Sequence, residues 1–194
     1  MTSPDSAASR ERILAAAREE FGRYGFAGAR TERIARAANV NKQLLFYYFG
    51  SKAGLYQAVV KGAGEVLGRA AARVRGAQQS TERLRQQLRH AFDTLAANRK
   101  DLRLLLDSAA NSDEVDNAAR DSVVALQERI RGIVSEGQGL GFFRDDVDPS
   151  RTAQHAVVLV LGYFALEPLF DDQSRPRSDW IDSVAALLVG SLTW

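Results

Sequence analysis

The chain contains 194 residues, of which 45% are hydrophobic and 26% are charged, so its composition is that of a folded globular protein and excludes a disordered or collagen-like chain. Its 30 alanines outnumber its 15 glycines and 4 prolines, which favours an all-helical fold because alanine is the strongest helix former. The chain has no cysteine, which excludes disulfide frameworks, thiolate catalysis and cysteine-ligated zinc.

Charge is distributed unevenly along the chain. Residues 1–52 contain nine basic and five acidic residues, a net charge of +4, whereas the remaining 142 residues contain 17 basic and 19 acidic ones, a net charge of −2. A basic N-terminal quarter joined to a slightly acidic remainder suggests that the N-terminal part faces a polyanion.

Neither a signal peptide nor a membrane span is predicted. The N-terminus lacks the basic and apolar regions of a signal peptide. The longest uncharged stretch before the C-terminus, residues 152–166, has 15 residues, fewer than the roughly 20 that cross a bilayer. We therefore expect a cytoplasmic protein, associated with the nucleoid if the polyanion is DNA, and no membrane partner.

The first three helices are predicted from apolar residues at helical spacing and from their caps. After a disordered lead over residues 1–8, the first helix runs from about Ser9 to Tyr24 and stops at Gly25. A short second helix begins near Thr31. In the turn that follows, Asn39 tolerates the left-handed backbone that closes the second helix, and Asn41 caps the third.

Six further helices are predicted beyond residue 51. The boundaries of helices 4 to 7 are marked by Ser51, the pair Ser80/Thr81, Asn98, Ser112 and, at the end of helix 7, Gly137. Helix 8 spans about residues 149–168 and starts with an aspartate followed by a proline, while Ser178 caps helix 9, which spans about residues 178–193. Helix 8 is apolar on all sides between residues 156 and 166, so both of its faces need cover.

The second and third helices form a helix-turn-helix unit within residues 9–51, in the basic part of the chain. Successive helical residues are rotated by about 100°, so if Leu45 and Phe49 are buried, the opposite side of the third helix faces outward. Lys42 stands in its first turn, from which a recognition helix reaches base edges. The candidates for contact with DNA bases are Lys42, Gln43, Leu44 and Tyr47.

Contacts with phosphates are expected at helix starts, where backbone N–H groups are free, and from hydroxyl groups at the surface. Thr31 stands at the start of the second helix and Lys52 at the start of the fourth. The phosphate-contact candidates are Thr31, Asn41, Tyr47, Tyr48 and Lys52.

One pattern at fixed spacing runs through this region. It reads Phe21-Gly22-x-Tyr24-Gly25-Phe26-Ala27-Gly28, then Thr31-x-x-Ile34-Ala35-x-x-Ala38-Asn39-Val40-Asn41-Lys42-x-x-Leu45-Phe46-Tyr47-Tyr48-Phe49-x-Ser51-Lys52-x-x-Leu55. Over about residues 10–56 it resembles the N-terminal DNA-binding domain of the TetR family of transcriptional regulators. It departs from the family pattern at Asn39, Leu44 and Phe46, which replace the usual glycine, small residue and tyrosine.

The resemblance implies an all-α, nine-helix TetR-like fold with an N-terminal three-helix helix-turn-helix domain and a C-terminal effector-binding and dimerisation domain over residues 52–194. It implies a homodimeric regulator, most often a repressor, in which helices 8 and 9 pair with those of a second copy and cover the second face of helix 8. The implied partners are double-stranded operator DNA, a second copy and an unidentified small-molecule effector. The dimer-interface candidates are Val157, Val160, Leu161, Trp180, Val184, Leu187 and Leu188.

An effector pocket needs apolar walls and a few polar anchors. The candidates combine aromatic and titratable residues of the C-terminal part, and plain core packing is the alternative for each of them. They are His90, Phe92, Phe142, His155, Tyr163, Phe164 and Glu167.

Two other functional classes are open to the sequence. Acidic clusters at residues 113–116 and 145–148 suggest a metal site or proton transfer, but a calcium loop starting at Asp145 would lack its glycine and its terminal glutamate. The two histidines, far apart in sequence, have no metal-ligand spacing, and we expect no catalysis, metal or cofactor. A DNA-binding architectural protein without effector is the second alternative, although 142 residues beyond Lys52 exceed what dimerisation needs.

Overall fold

The fold is that of a computed structural model, which describes residues 4–74, 79–111, 117–169 and 177–194. Over these ranges the chain forms nine α-helices and no β-strand, so the predicted all-helical class is confirmed. The helices are α1 (Pro4–Gly28), α2 (Thr31–Ala37), α3 (Lys42–Phe49), α4 (Lys52–Ala70), α5 (Ser80–Ala97), α6 (Arg99–Asn111), α7 (Asn117–Gly139), α8 (Pro149–Leu166) and α9 (Arg177–Leu192). None of the helices in the described ranges has the length and apolar character of a membrane span.

The helices pack as two compact units. The first comprises the described residues up to Glu65, α6 from Lys100 to its end and the first three residues of α7, and the second comprises the described residues of Val66–Arg99 and of the chain from Arg120 onward. The first unit is larger than the predicted helix-turn-helix domain because residues of α4 and α6 share its apolar core. The core residues contributed by α1, α2, α3, α4 and α6 include Ile13, Ala17, Phe21, Ile34, Leu45, Leu55, Val59 and Leu104.

The start of α1 differs from the prediction. The helix begins at Pro4, so the predicted disorder is wrong for residues 4–8. Proline suits the first position of a helix because the N–H that it lacks would have no partner there. Ser6, in this first turn, accepts a hydrogen bond from the hydroxyl of Tyr48 at 3.1 Å. Gly25 leaves the helical conformation (φ 64°, ψ 179°) where the sequence predicts a stop, and one further turn follows it.

The predicted caps of the helix-turn-helix region are confirmed. Asn39 has a positive φ of 53°, as its left-handed role requires. The side-chain oxygen of Asn41 accepts the N–H of Leu44 at 2.7 Å and so caps α3. Ser51 accepts the N–H of Gly54 at 3.0 Å at the start of α4. Backbone geometry in this part of the chain is thus set by side chains adjacent in sequence.

Several predicted boundaries in the second unit need correction. Ser80 is the first residue of α5, and Gln79 takes the cap position. α7 continues past Gly137, which lies so close to the Phe143 ring that a side chain there would overlap it. α9 begins at Arg177, so Ser178 lies inside it. These small or polar residues are also common at caps, which explains the misplaced boundaries, and Ser112 lies outside the described residues.

The boundaries of α8 agree better with the sequence. Asp148 accepts the N–H of Ser150 at 2.8 Å as the N-cap, with Pro149 in the first helical position. The helix ends at Leu166, and a 3-10 turn over Glu167–Leu169 follows, where the sequence places the stop at a proline.

Candidate nucleic-acid interface

α3 presents one exposed edge. Tyr47 is 81% exposed and Gln43 is exposed beside it, whereas Leu45 is completely buried. Leu44 is half-buried, and Phe49, predicted to be buried, is half-buried against the core of the first unit. The rotation of α3 predicted from the sequence is therefore confirmed for its outward edge, and contact of that edge with bases stays a prediction.

Lys42 is held at the start of α3 by two neighbours. Its ammonium group forms an ion pair with the carboxylate of Glu32, in the first turn of α2, and lies 5.6 Å from the centre of the Phe46 ring. The hydrogen bond from Lys42 lowers the pKa of Glu32 below its ordinary value. Glu32 is absent from the residues predicted from the sequence, since an acidic residue does not fit a phosphate-binding surface.

The start of α1 lies beside α3. Tyr48 is half-buried and its hydroxyl donates to Ser6, while its ring meets that of Tyr47 edge to face at 5.4 Å. The guanidinium of Arg10 lies 5.5 Å from the centre of the Phe49 ring. Ser6 and Arg10 are thus additional polar residues beside α3; the prediction of a disordered lead concealed Ser6, whereas Arg10 lies in the predicted first helix but was not singled out.

The phosphate-contact candidates outside α3 stand at helix starts, as predicted. Thr31 is the first residue of α2, but it is only 8% exposed and its hydroxyl lies 3.5 Å from the carboxylate of Glu32. Lys52 is the first residue of α4, with its ammonium 3.4 Å from the carbonyl oxygen of Ala27 and 4.9 Å from the Phe26 ring centre. Phosphate binding by these residues stays a prediction.

A buried carboxylate fixes the entry into α2. Glu20 accepts the backbone N–H of Arg30 at 2.9 Å and the Nε of Arg33 at 2.7 Å, and its side chain is 10% exposed. Arg33 also donates to the carbonyl of Gly28 at 3.0 Å and lies 4.4 Å from the centre of the Tyr24 ring. Burial raises the pKa of Glu20, but the hydrogen bonds and positive charges around it lower the pKa further, below its ordinary value.

α6 is joined to α1 within the first unit. Arg18 forms an ion pair with Asp101 at 3.0 Å, and the carboxylate of Asp101 is 8% exposed. Lys100 pairs with Glu19 at 2.5 Å on the surface. The Arg18–Asp101 pair, in which only the carboxylate is buried, joins the start of α6 to the helix that precedes the helix-turn-helix.

The seven effector-pocket candidates do not converge on one place. Phe92, Tyr163 and Phe164 form a ring cluster with Trp180, in which the ring centres are 4.4–5.6 Å apart. Glu167 forms ion pairs with Arg99 and with Arg177, and the Arg99 guanidinium lies 6.0 Å from the Phe164 ring.

The other three candidates lie apart from this ring cluster. His90 contacts the carbonyl oxygen of Arg69 at 3.0 Å through Nε2, and His155 is exposed on α8. Phe142 is 42% exposed, whereas its neighbour Phe143 is buried against Gly137. Two adjacent phenylalanines point to opposite sides, and the sequence alone does not show which one is inside.

The dimer-interface candidates require a correction. Val157, Val160, Val184 and Leu188 are buried within the chain itself. Trp180 belongs to the ring cluster, Leu161 is half-buried, and of the seven only Leu187 is largely exposed. Because α8 is apolar on all sides, hydrophobic spacing did not distinguish its inner face from its outer one.

The exposed face of these helices carries other apolar and small residues. Val158 is 61% exposed and Leu166 50% exposed on α8, and Leu187 is 68% exposed on α9. A side-chain carbon added at Gly162 or Gly190 would meet no atom within 4 Å. This face, rather than the buried valines, is available to a partner.

The acidic clusters have structural roles where they are described. Asp146 pairs with Arg144 at 2.5 Å, and Asp148 caps α8. The other cluster, residues 113–116, lies outside the described residues. No group of three metal-ligating side chains occurs in the part of the chain that the structure describes.

Comparison with known proteins bears directly on the helix-turn-helix region. The family described as bacterial regulatory proteins, tetR family, matches residues 13–59, which include all of α2 and α3. The resemblance to the TetR family seen in the sequence is thus confirmed over residues 13–59.

TetR relatives match this chain over different lengths. The transcriptional repressor NicS of Pseudomonas putida is 26% identical over 95% of this chain and 92% of its own length. The repressor SCO4008 of Streptomyces coelicolor is 46% identical over 61 residues, 31% of this chain and 32% of that protein, so the alignment spans about a third of each.

Solved structures share the whole fold with this chain. A TetR-family regulator of Rhodococcus RHA1 superposes with a TM-score of 0.78 at 21% identity, over 99% of this chain and 98% of that one. FadR of Bacillus subtilis, solved in complex with stearoyl-CoA, has a TM-score of 0.75 at 19% identity, over 94% of this chain and 99% of its own. At these identities the likeness shows the fold alone.

Proposed function

We propose that this TetR-family regulator is a repressor that binds a palindromic operator as a homodimer and is released by a small-molecule effector. The observation that carries the proposal is the exposed edge of α3, where Gln43 and Tyr47 face outward next to the cation of Lys42. This edge enters the major groove in the proposal. The protein acts in the cytoplasm on the nucleoid and carries out no catalysis.

Each candidate contact has a chemical role in the proposed complex. Lys42 donates to guanine O6/N7, Gln43 pairs with adenine N6/N7, and Leu44 contacts a thymine methyl group. Thr31, Asn41, Tyr47, Tyr48 and Lys52 bind phosphates and set the position of α3 in the groove.

Dimerisation is assigned to the exposed faces of α8 and α9. A row of exposed apolar residues next to open glycines lets a second pair of helices approach closely, and such patches mark interaction sites. Two recognition helices related by this dimer would occupy successive major grooves about 34 Å apart.

Effector release is assigned to the second unit. The ring cluster of Phe92, Tyr163, Phe164 and Trp180 offers apolar contacts, and Arg99, Arg177 and Glu167 lie beside it as polar anchors. The fold similarity to a FadR solved with stearoyl-CoA supports a ligand site in this kind of helical unit. An effector that binds a DNA-incompetent arrangement more tightly would release the operator by shifting populations.

Selection of bound fragments from genomic DNA, followed by footprinting, tests the proposal. We expect a palindrome protected by one dimer. If four of the five phosphate-contact candidates bind in each subunit, about eight in total, log K should fall with log salt with a slope of roughly −7. Gln43→Ala should reduce sequence preference, and Lys52→Ala should weaken binding to all sequences alike.

Other results would contradict the proposal. A salt slope near zero, or equal losses for Gln43→Ala and Lys52→Ala on selected and random DNA, would remove the proposed division between base and phosphate contacts. Insensitivity of the complex to every compound related to the regulated genes would favour the architectural alternative.

A further inference from the structure

The contact between Glu32 and Lys42 is unusual for a DNA-facing surface. The carboxylate stands in the first turn of α2, next to Thr31, and binds the only basic residue of α3. A negative charge at this place repels the phosphates that the neighbouring helix starts are expected to bind. The residue therefore weakens general attraction to DNA.

The ion pair contributes little to the stability of the fold. The side chains of Lys42 and Glu32 are 48% and 57% exposed, and exposed pairs of this kind contribute little because water screens them. Asn41 already caps α3, and Leu45 anchors it in the core. A role in folding does not account for the contact.

The pair does restrict where the lysine ammonium lies. Lysine is a point charge on a flexible four-carbon stem, and on its own it reaches phosphates at many positions. Here the ammonium is held between the Glu32 carboxylate and the face of the Phe46 ring, one turn further along α3. The hydrogen bond from Lys42 favours the ionised carboxylate and lowers the pKa of Glu32 below its ordinary value.

We propose that Glu32 is a specificity-determining positioning residue, which keeps Lys42 directed at a base edge and away from the phosphates. The proposal rests on the proposed function, because it assumes that α3 reads an operator. It predicts that neutralising the Glu32 carboxylate strengthens binding to random DNA and reduces the preference for the operator.

The test compares wild-type protein with Glu32→Gln on the selected operator and on random DNA of equal length. The variant should bind random DNA about fivefold more tightly, and the ratio of operator to random affinity should fall about fivefold or more, the loss expected for one base contact. With one freed lysine in each subunit, the salt slope on random DNA should steepen by about 2.

Two controls separate positioning from simple charge removal. Glu65→Gln removes an exposed acid of α4, thirteen residues and about 20 Å along the helix from Lys52, and should change neither quantity. Glu32→Gln introduced into Lys42→Ala protein should strengthen binding to random DNA clearly less than it does in the wild-type background, because it removes the repulsion by the carboxylate but frees no lysine.

The outcomes distinguish this inference from the function on which it depends. Failure of the wild-type protein to prefer any operator overturns the proposed function. If wild type shows a preference and Glu32→Gln leaves the affinity ratio unchanged, the positioning role is wrong. Equal gains for Glu32→Gln with and without Lys42 would show that Glu32 acts only by repelling phosphates and would likewise overturn it.

Discussion

The two units of this protein hold their candidate residues by different interactions. In the first unit, directional hydrogen bonds fix the chain around α2 and α3, as Glu20 does at Arg30 and Asn41 does at Leu44. In the second unit, Phe92 and its neighbours hold one another by ring contacts. Hydrogen bonds define one geometry, whereas apolar rings pack in several, so the first unit would fit the proposed reading surface and the second the proposed ligand-responsive part.

The largest effect on stability is expected at the centre of the ring cluster in the second unit. Phe92 is 1% exposed. Phe92→Ala should lower the free energy of unfolding by about 3–5 kcal/mol, because it leaves a cavity among Tyr163, Phe164 and Trp180. Urea unfolding measures the loss at a fixed protein concentration. Phe142→Ala, at an exposed phenylalanine, is the matched control and should stay within about 0.5 kcal/mol. Equal losses would mean that the ring cluster does not hold the second unit.

Two glycines sharpen the contrast between fixed backbone and adjustable side chains. A side chain at Gly54 would overlap the carbonyl oxygen of Phe49, which is a backbone atom and cannot move aside. Gly54→Ala should therefore lower the free energy of unfolding by about 2–3 kcal/mol. Gly137→Ala would meet the ring of Phe143 instead and should cost less, about 1–2 kcal/mol.

The same unfolding measurement checks both glycine variants. Gly132→Ala, on α7 with no atom within 4 Å of the added carbon, is the control and should gain up to about 1 kcal/mol from helix propensity. A Gly54→Ala protein as stable as this control would show that the junction between α3 and α4 is not tightly set.

The smallest expected effect concerns the carboxylate at the entry to α2. Glu20→Gln should cost about 1–2 kcal/mol at neutral pH, because the charge-assisted hydrogen bonds from Arg33 are lost. Since folding lowers the pKa of Glu20, its contribution is complete above the ordinary glutamate value of about 4.3 and is lost as the pH falls through the folded-state value.

Unfolding at a series of pH values between about 3 and 7 measures this dependence. Wild type should lose more stability on acidification than Glu20→Gln, while Glu65→Gln should follow wild type. Parallel curves for wild type and Glu20→Gln would show that this carboxylate does not fix the segment before α2.

The parts of the fold that the sequence predicts correctly depend on neighbouring residues. Asn39, Asn41 and Ser51 act through hydrogen bonds or backbone angles within a few positions, and their types limit what they can do. The outward edge of α3 follows equally from helical rotation around buried Leu45.

The parts that it misses depend on residues distant in the chain. Ser6 is ordered by Tyr48, 42 positions away, and Lys42 finds Glu32 across a turn, ten positions away. Nothing near Val157 or Val160 in the sequence shows that they face the protein interior, because every side of α8 is apolar. Which side chains of such a helix are buried depends on the elements that pack against it.

The hydrogen bond between Tyr48 and Ser6 has an evolutionary consequence. Position 6 lies outside the segment that matches the family, residues 13–59, and yet it touches the recognition helix. A substitution there alters the surroundings of α3 without altering any residue within it. If α3 reads an operator as proposed, two proteins with identical residues in this helix can still differ in their DNA targets, and grouping relatives by that helix alone would merge them.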